Sequence, residues 1–235
     1  MKKAYEKNEL WFAITWIIIY VVVMGNLRGN LGDDSPFTAL ALFIIAAVLT
    51  IFIVKNELSK KYGFTGVSDA KRYLYYIPFV LLCSDNFWFG VSMHYEMPYQ
   101  IFAVVSMALV GYVEEIVFRG FLFRAIEKDS ETQAIIITAV TFGAGHIVNL
   151  LTGHAGLETW LQIAYAIAIG FAFAMFFYKS GSLIPCIITH SAIDVASRFS
   201  GESSQTQDII AAFFLIIVAG GYALYLHWKV EKTES

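Results

Sequence analysis

Two adjacent glutamates, Glu114 and Glu115, stand with Arg119 inside the otherwise apolar run from Val110 to Phe123. Downstream apolar runs carry Phe142 with His146 and His190 with Asp194, each pair spaced by four. One ionised side chain near the middle of a bilayer costs ~2.5–3.5 kcal/mol on insertion scales. Three such groups within six residues therefore need polar partners, and His146, His190 and Asp194 supply them. Carboxylates beside imidazoles in a water-poor pocket suit general acid–base chemistry, because desolvation makes a carboxylate a better acceptor of a proton from water. Glu114, His146 and His190 also offer the oxygen and nitrogen donors that Zn²⁺ takes. The helical His-Glu-x-x-His signature is absent. The residues alone leave metal-bound and metal-free activation of water both open.

Spacing assigns faces. Glu115 and Arg119, four apart, share a helix face and can pair. Glu114 is turned by about 100° from Glu115, so one carboxylate can be neutralised by Arg119 while the other points into a cavity. Each grouping has a plainer alternative: a buried ion-pair network for the triplet, a helix–helix hydrogen bond for His146, a self-satisfied pair for His190 and Asp194. Gly143 and Gly145 either admit a neighbouring helix beside His146 or leave room for a substrate. Asn149 reads as an interhelical contact, and Pro185 as a kink one turn before His190. His94 and Glu96 fall in an outer loop, His154 near an outer interface. Asp85 and Asn86 either line a cavity or relax a kink.

These groups must be positioned by membrane helices. The 235 residues are 58% hydrophobic and 15% charged, with mean hydropathy +0.63. Soluble domains sit near about 45–50% apolar and about 25% charged, so an integral membrane protein is expected. With ~20 apolar residues per crossing, eight spans are expected at 9–26, 37–55, 73–93, 98–123, 132–152, 157–179, 182–198 and 208–228. The third is interrupted by Ser84-Asp85-Asn86 and the seventh is short; either can be kinked or re-entrant. On this count, all of the 16 Lys and Arg except Arg28 and Arg198 fall on the inner side, which places both termini in the cytoplasm. The expectation is an all-α polytopic bundle forming one membrane domain over 1–235. No cleavable signal peptide is evident. The Lys-rich stretch 55–72 reads as an interfacial connector, 199–207 as a polar outer loop, and Cys83 and Cys186 as core residues without a disulfide. Trp11, Trp16, Trp88, Trp160 and Trp228 suit interfacial anchoring. At 1.5 Å per residue, Glu114, His146 and His190 lie within roughly 10 Å of one another in depth.

Glu-Glu-x-x-x-Arg, Phe-x-x-x-His and His-x-x-x-Asp, in that order along a polytopic chain, resemble the CPBP family of CAAX proteases and bacteriocin-processing enzymes, also called Abi. That family includes the Ras-converting CAAX endopeptidase. The resemblance covers roughly residues 98–198; residues 1–97 carry no diagnostic motif. It implies an eight-helix intramembrane endopeptidase, of a family labelled metalloproteases but also given a metal-free glutamate mechanism. By resemblance, Glu114 is the general base acting on water with His146. His190 and residue 194 stabilise the oxyanion, and Glu115 and Arg119 form a supporting ion pair. CAAX endopeptidases usually carry Asn where this chain has Asp194, and an ionised Asp cannot donate to an oxyanion. Two roles for Asp194 stay open: a protonated oxyanion donor, or an orienter of His190.

The expected activity is hydrolysis of a peptide bond in a membrane-associated peptide or small membrane protein, near the cytoplasmic half of the bilayer. Nucleic acid is not an expected partner, and Zn²⁺ is an open possibility rather than an assigned cofactor. The compact chain suggests a prokaryotic cell membrane. Two rivals remain: a non-catalytic scaffold or regulator that keeps the motifs as packing, and a proton-coupled transporter, since intramembrane Glu, His and Asp also mark ion paths.

Overall fold

A computed structural model of the chain describes residues 1–147 and 156–233. Nine helices are seen among them besides two short 3-10 segments, Ala70–Tyr76 and Asp85–Phe87. A short α1 (Lys2–Lys7) precedes α2 (Glu9–Leu31) and α3 (Pro36–Lys55). Then come α4 (Ile77–Ser84), α5 (Tyr99–Glu127), α6 (Glu131–Gly145), α7 (Leu157–Ser180), α8 (Ile184–Ala196) and α9 (Gln205–Lys229). Asn8, Ser35 and Ser130 cap α2, α3 and α6, each accepting a backbone N–H with its side chain. Ser204 and Gln207 form a capping box at α9. Such caps satisfy amides that the first helical turn leaves unpaired.

Five helices, α2, α3, α5, α7 and α9, are long and apolar enough to cross a membrane. With the apolar composition they make the chain a multi-pass membrane protein. The other three expected spans are shorter helices. The third, expected at 73–93, is not a continuous helix. Leu74, Tyr75 and Tyr76 take left-handed backbone angles, and α4 then runs for only 8 residues before Asp85 and Asn86 end it. At 1.5 Å per residue α4 reaches about 12 Å and the 13-residue α8 about 20 Å, both short of a ~30 Å hydrocarbon core. The fifth, expected at 132–152, is helical from Glu131 to Gly145, and its end from 148 onward lies outside the described residues.

Central α5 packs against α8 and α3, while its middle packs on α2; α7 lies between α6 and α9, and α4 bridges α8 and α9. Missing side chains set the two tightest crossings around the site. A Cβ on Gly111 of α5 would lie 2.5 Å from the backbone N of Ser191 in α8, and Ser191 Oγ donates to the Ala108 carbonyl at 2.8 Å. A Cβ on Gly143 of α6 would lie 2.8 Å from the backbone N of Ile167 in α7. Gly143 thus admits a helix, whereas no described residue stands within 4 Å of a Cβ placed on Gly145, next to His146.

The charged residues sort to two ends. One end gathers both chain termini and the Lys-rich connector. There Glu9 accepts from Lys61 at 2.7 Å and pairs with Lys128 at 2.8 Å, and Lys232 bridges Glu127 (3.2 Å) and Glu131 (2.8 Å). Partial burial works against the Lys232 charge, but its two carboxylate partners hold the ammonium above its usual range. The connector is tied down rather than loose: Gly63, at φ +73°, accepts from Leu183 N at 2.8 Å, and its Cα lies so close to Gly181 that a Cβ would reach 2.6 Å from that carbonyl oxygen. At the opposite end, the loop after α4 joins the loop after α8 through a bridge between Val91 and Ser200. The two basic residues expected outside, Arg28 and Arg198, both bind Asp33 there, Arg198 at 3.1 Å. Trp11 and Trp228 are exposed near the first end, and Trp88 and Trp160 near the second.

Candidate active site

The site is built where α2, α5, α6 and α8 converge. Helix α5 changes winding there. Residues Tyr99–Glu115 are α-helical, and Ile116–Phe123 form a π-helical segment. Short π segments widen a helix at a cost in packing and recur at functional sites. This one follows the two glutamates directly and carries Arg119.

Glu115 is the hub. Its Oε1 accepts from Arg119 Nη1 at 2.8 Å and from His190 Nδ1 at 2.9 Å. Glu115 and Arg119 are both fully buried. The guanidinium lies 4.2 Å from the centre of the Phe142 ring and 5.4 Å from that of Phe173, faces that attract a cation. Phe142 also meets His190 (5.3 Å between ring centres) and His146 (5.9 Å), both edge-on. The aromatic of the Phe-x-x-x-His motif is thus the spacer that holds both histidines against the buried arginine.

Glu114 faces another way, as the 100° rotation predicts. Its Oε1 accepts a hydrogen bond from the Tyr20 hydroxyl of α2 at 2.7 Å. Its Oε2 lies 3.9 Å from His190 Nε2. Asp194 Oδ2 lies 3.5 Å from the same nitrogen. His190 is therefore oriented by Glu115 through Nδ1, while Nε2 looks toward Glu114 and Asp194. Asp194 does not make the orienting hydrogen bond. His146 sits at the very end of α6, its backbone N bonded to Gly143 O at 3.1 Å, within electrostatic reach of Glu114 and His190. All six residues expected at the site, Glu114, Glu115, Arg119, His146, His190 and Asp194, are brought into this one region.

Other expected residues fall elsewhere. His94 and Glu96 are exposed, with His94 Nε2 2.8 Å from the Ser200 carbonyl oxygen. Asp85 both follows the end of α4 and lines a cavity of about 270 Å³ with Glu158, Tyr165 and Asp208. Asn149 and His154 lie outside the described residues. Cys83 and Cys186 are both free.

Two features escaped the sequence reading. Tyr20, 5% exposed, is one aromatic among many in an apolar helix; its only signal was a hydroxyl midway along a span, which needs a partner when buried. The Arg28–Asp33–Arg198 cluster had a clearer signal, since both arginines broke the inner-side pattern. Both exert their charge on Asp194, and Arg28 also acts on Glu114 and His146.

Comparison with known proteins matches one part of the chain. Residues 96–196 match the Rce1-like family, type II CAAX prenyl endopeptidases. The Rce1-like segment contains Glu114, Glu115, Arg119, His146, His190 and Asp194, and it agrees with the resemblance carried by the three motifs. It leaves out α2, and with it Tyr20 and Arg28. No curated protein and no solved structure matches the chain.

Among the described residues, no three His, Cys, Asp or Glu side chains are arranged to hold a metal ion, and His190 Nδ1 is committed to Glu115.

Proposed function

We propose that the chain is an intramembrane endopeptidase that hydrolyses a peptide bond of a membrane-associated peptide or small membrane protein. The observation that carries this reading is the pairing of Glu114 Oε2 with His190 Nε2 across 3.9 Å, inside the Rce1-like segment. That separation is too long for a direct hydrogen bond and suits one bridging water. Glu114 takes a proton from this water as its oxygen attacks the substrate carbonyl carbon. His146, within electrostatic reach of Glu114 and His190, helps hold the water. Negative charge grows on the carbonyl oxygen, and His190 donates to it from Nε2. The proton on Glu114 then passes to the amide nitrogen as the C–N bond breaks, which returns Glu114 to a carboxylate. Glu115 and Arg119 do not touch the reacting atoms; they fix the imidazole.

Membrane placement follows the same reading. Both termini, at the end rich in lysine, lie in the cytoplasm, and α4, α6 and α8 complete an eight-helix arrangement with the five long spans. The segment 98–198 is the catalytic core of a single membrane domain. Reporter fusions at Lys232 and in the loop 199–207 test the sidedness. Cleavage of a quenched fluorescent peptide library by purified protein tests the activity, with Glu114→Gln as control and a chelator arm for metal dependence. Turnover that needs Glu114 is expected, and the chelator arm separates metal-bound from metal-free activation of water.

A further inference from the structure

We propose that Tyr20 is a positioning residue for Glu114, and that helix α2, outside the Rce1-like segment, selects which carboxylate oxygen acts as the base. The inference rests on the hydrolytic reading above. Glu114 has two chemically equal oxygens, and only one can face the water. Tyr20 removes the equality: its hydroxyl donates to Oε1 at 2.7 Å, leaving Oε2 turned toward His190 Nε2. The donor is itself fixed. Tyr20 is buried, and α2 is held to the π segment by Phe12, whose ring centre lies 5.3 Å from that of Phe121. Phe12 also packs against Phe52 of α3, with tilted rings 5.1 Å apart between centres. A rigid helix therefore delivers the hydroxyl, and a χ2 flip of Glu114 would forfeit the bond.

The proton balance keeps Tyr20 a spectator. Water gives its proton to Oε2, and the phenol keeps its own. The neutral carboxyl still accepts from Tyr20 through Oε1, so the bond survives the step. Tyr20 thus contributes orientation rather than charge. Its loss should lower kcat about tenfold and leave KM unchanged, because misdirected Glu114 conformers bind substrate but do not react.

The test compares wild type, Tyr20→Phe and Glu114→Gln in lipid vesicles, by steady-state kinetics on a cleaved peptide and by isotope-edited infrared spectra of glutamate carboxylates. The expected result is an inactive Glu114→Gln and a Tyr20→Phe with reduced kcat, unchanged KM and a shift in the carboxylate band that Glu114→Gln lacks. Tyr20→Phe at wild-type kcat beside an inactive Glu114→Gln would overturn this proposal alone. Activity surviving in Glu114→Gln would overturn the hydrolytic reading, and this proposal with it. Should Tyr20→Phe fail to fold, a fluorotyrosine at position 20 keeps the hydroxyl in place and strengthens its donation; an unmoved Glu114 band would then overturn the proposal.

Discussion

Removing the charge of Glu115 separates the two adjacent glutamates most sharply. In Glu115→Gln the fully buried Arg119 loses its only ion-pair partner among the described residues. What remains is a neutral amide oxygen in place of the carboxylate, a long 3.5 Å contact to the Gly170 carbonyl and the faces of Phe142 and Phe173. The network is already unsaturated, with Glu115 Oε2 and Arg119 Nε unpartnered among the described residues, so it has little slack. Breaking a buried pair by removing one partner costs roughly 3–5 kcal/mol, because the other charge stays buried. At about 2–4 °C per kcal/mol for a chain of this size, the melting temperature should fall by roughly 6–20 °C. The protein supplies its own probe: Cys186 is buried and free, so with the half-buried Cys83 replaced by Ser a thiol-reactive dye reports unfolding in detergent. The double variant Glu115→Gln/Arg119→Met removes both charges and should recover most of the loss. Glu114→Gln should melt close to wild type, since an amide oxygen can still accept from Tyr20. A Glu115→Gln protein within about 1 kcal/mol of wild type, or a double variant less stable than the single, would refute the reasoning.

Gly111→Ala places a Cβ 2.5 Å from the Ser191 backbone N; forcing α5 and α8 apart should cost about 1–3 kcal/mol in the same melting assay, and a variant as stable as wild type would contradict the crossing. Asp33→Ala leaves Arg28 and Arg198 facing each other at the end opposite the termini; a loss of about 1–3 kcal/mol is expected, and restoring stability with Arg198→Gln in the same chain checks that repulsion is its cause.

The fold was legible where a chemical rule reached it. Of the Lys and Arg expected on the inner side, the structure gathers Lys61, Lys128 and Lys232 at the end that holds the chain termini, while Arg119, counted with them, is buried at the site. The Glu114–Glu115 rotation followed from helix geometry alone, and the structure gives the two carboxylates different partners. What the sequence concealed was backbone irregularity. Composition could not show that Leu74 to Tyr76 adopt left-handed angles, so 73–93 read as a span on hydropathy. The π winding of Ile116–Phe123 has no residue signature: the helices packed on it, α2, α6 and α7, come from distant parts of the chain. Likewise the partner of His190 Nδ1 was legible only in three dimensions: Asp194 is four residues away in sequence, but Glu115, on another helix, makes the bond. Tyr20 lay hidden because its chemistry resides in a pairing across 94 residues.

The central claim is that Glu114 is the base of a peptide hydrolase. The direct measurement is turnover of a quenched fluorescent peptide library by purified wild type and Glu114→Gln, compared at equal folded concentration. The account predicts cleavage by wild type and a loss on the order of 10²–10⁴-fold in the variant with an unchanged melting temperature. Equal cleavage by both proteins would contradict it.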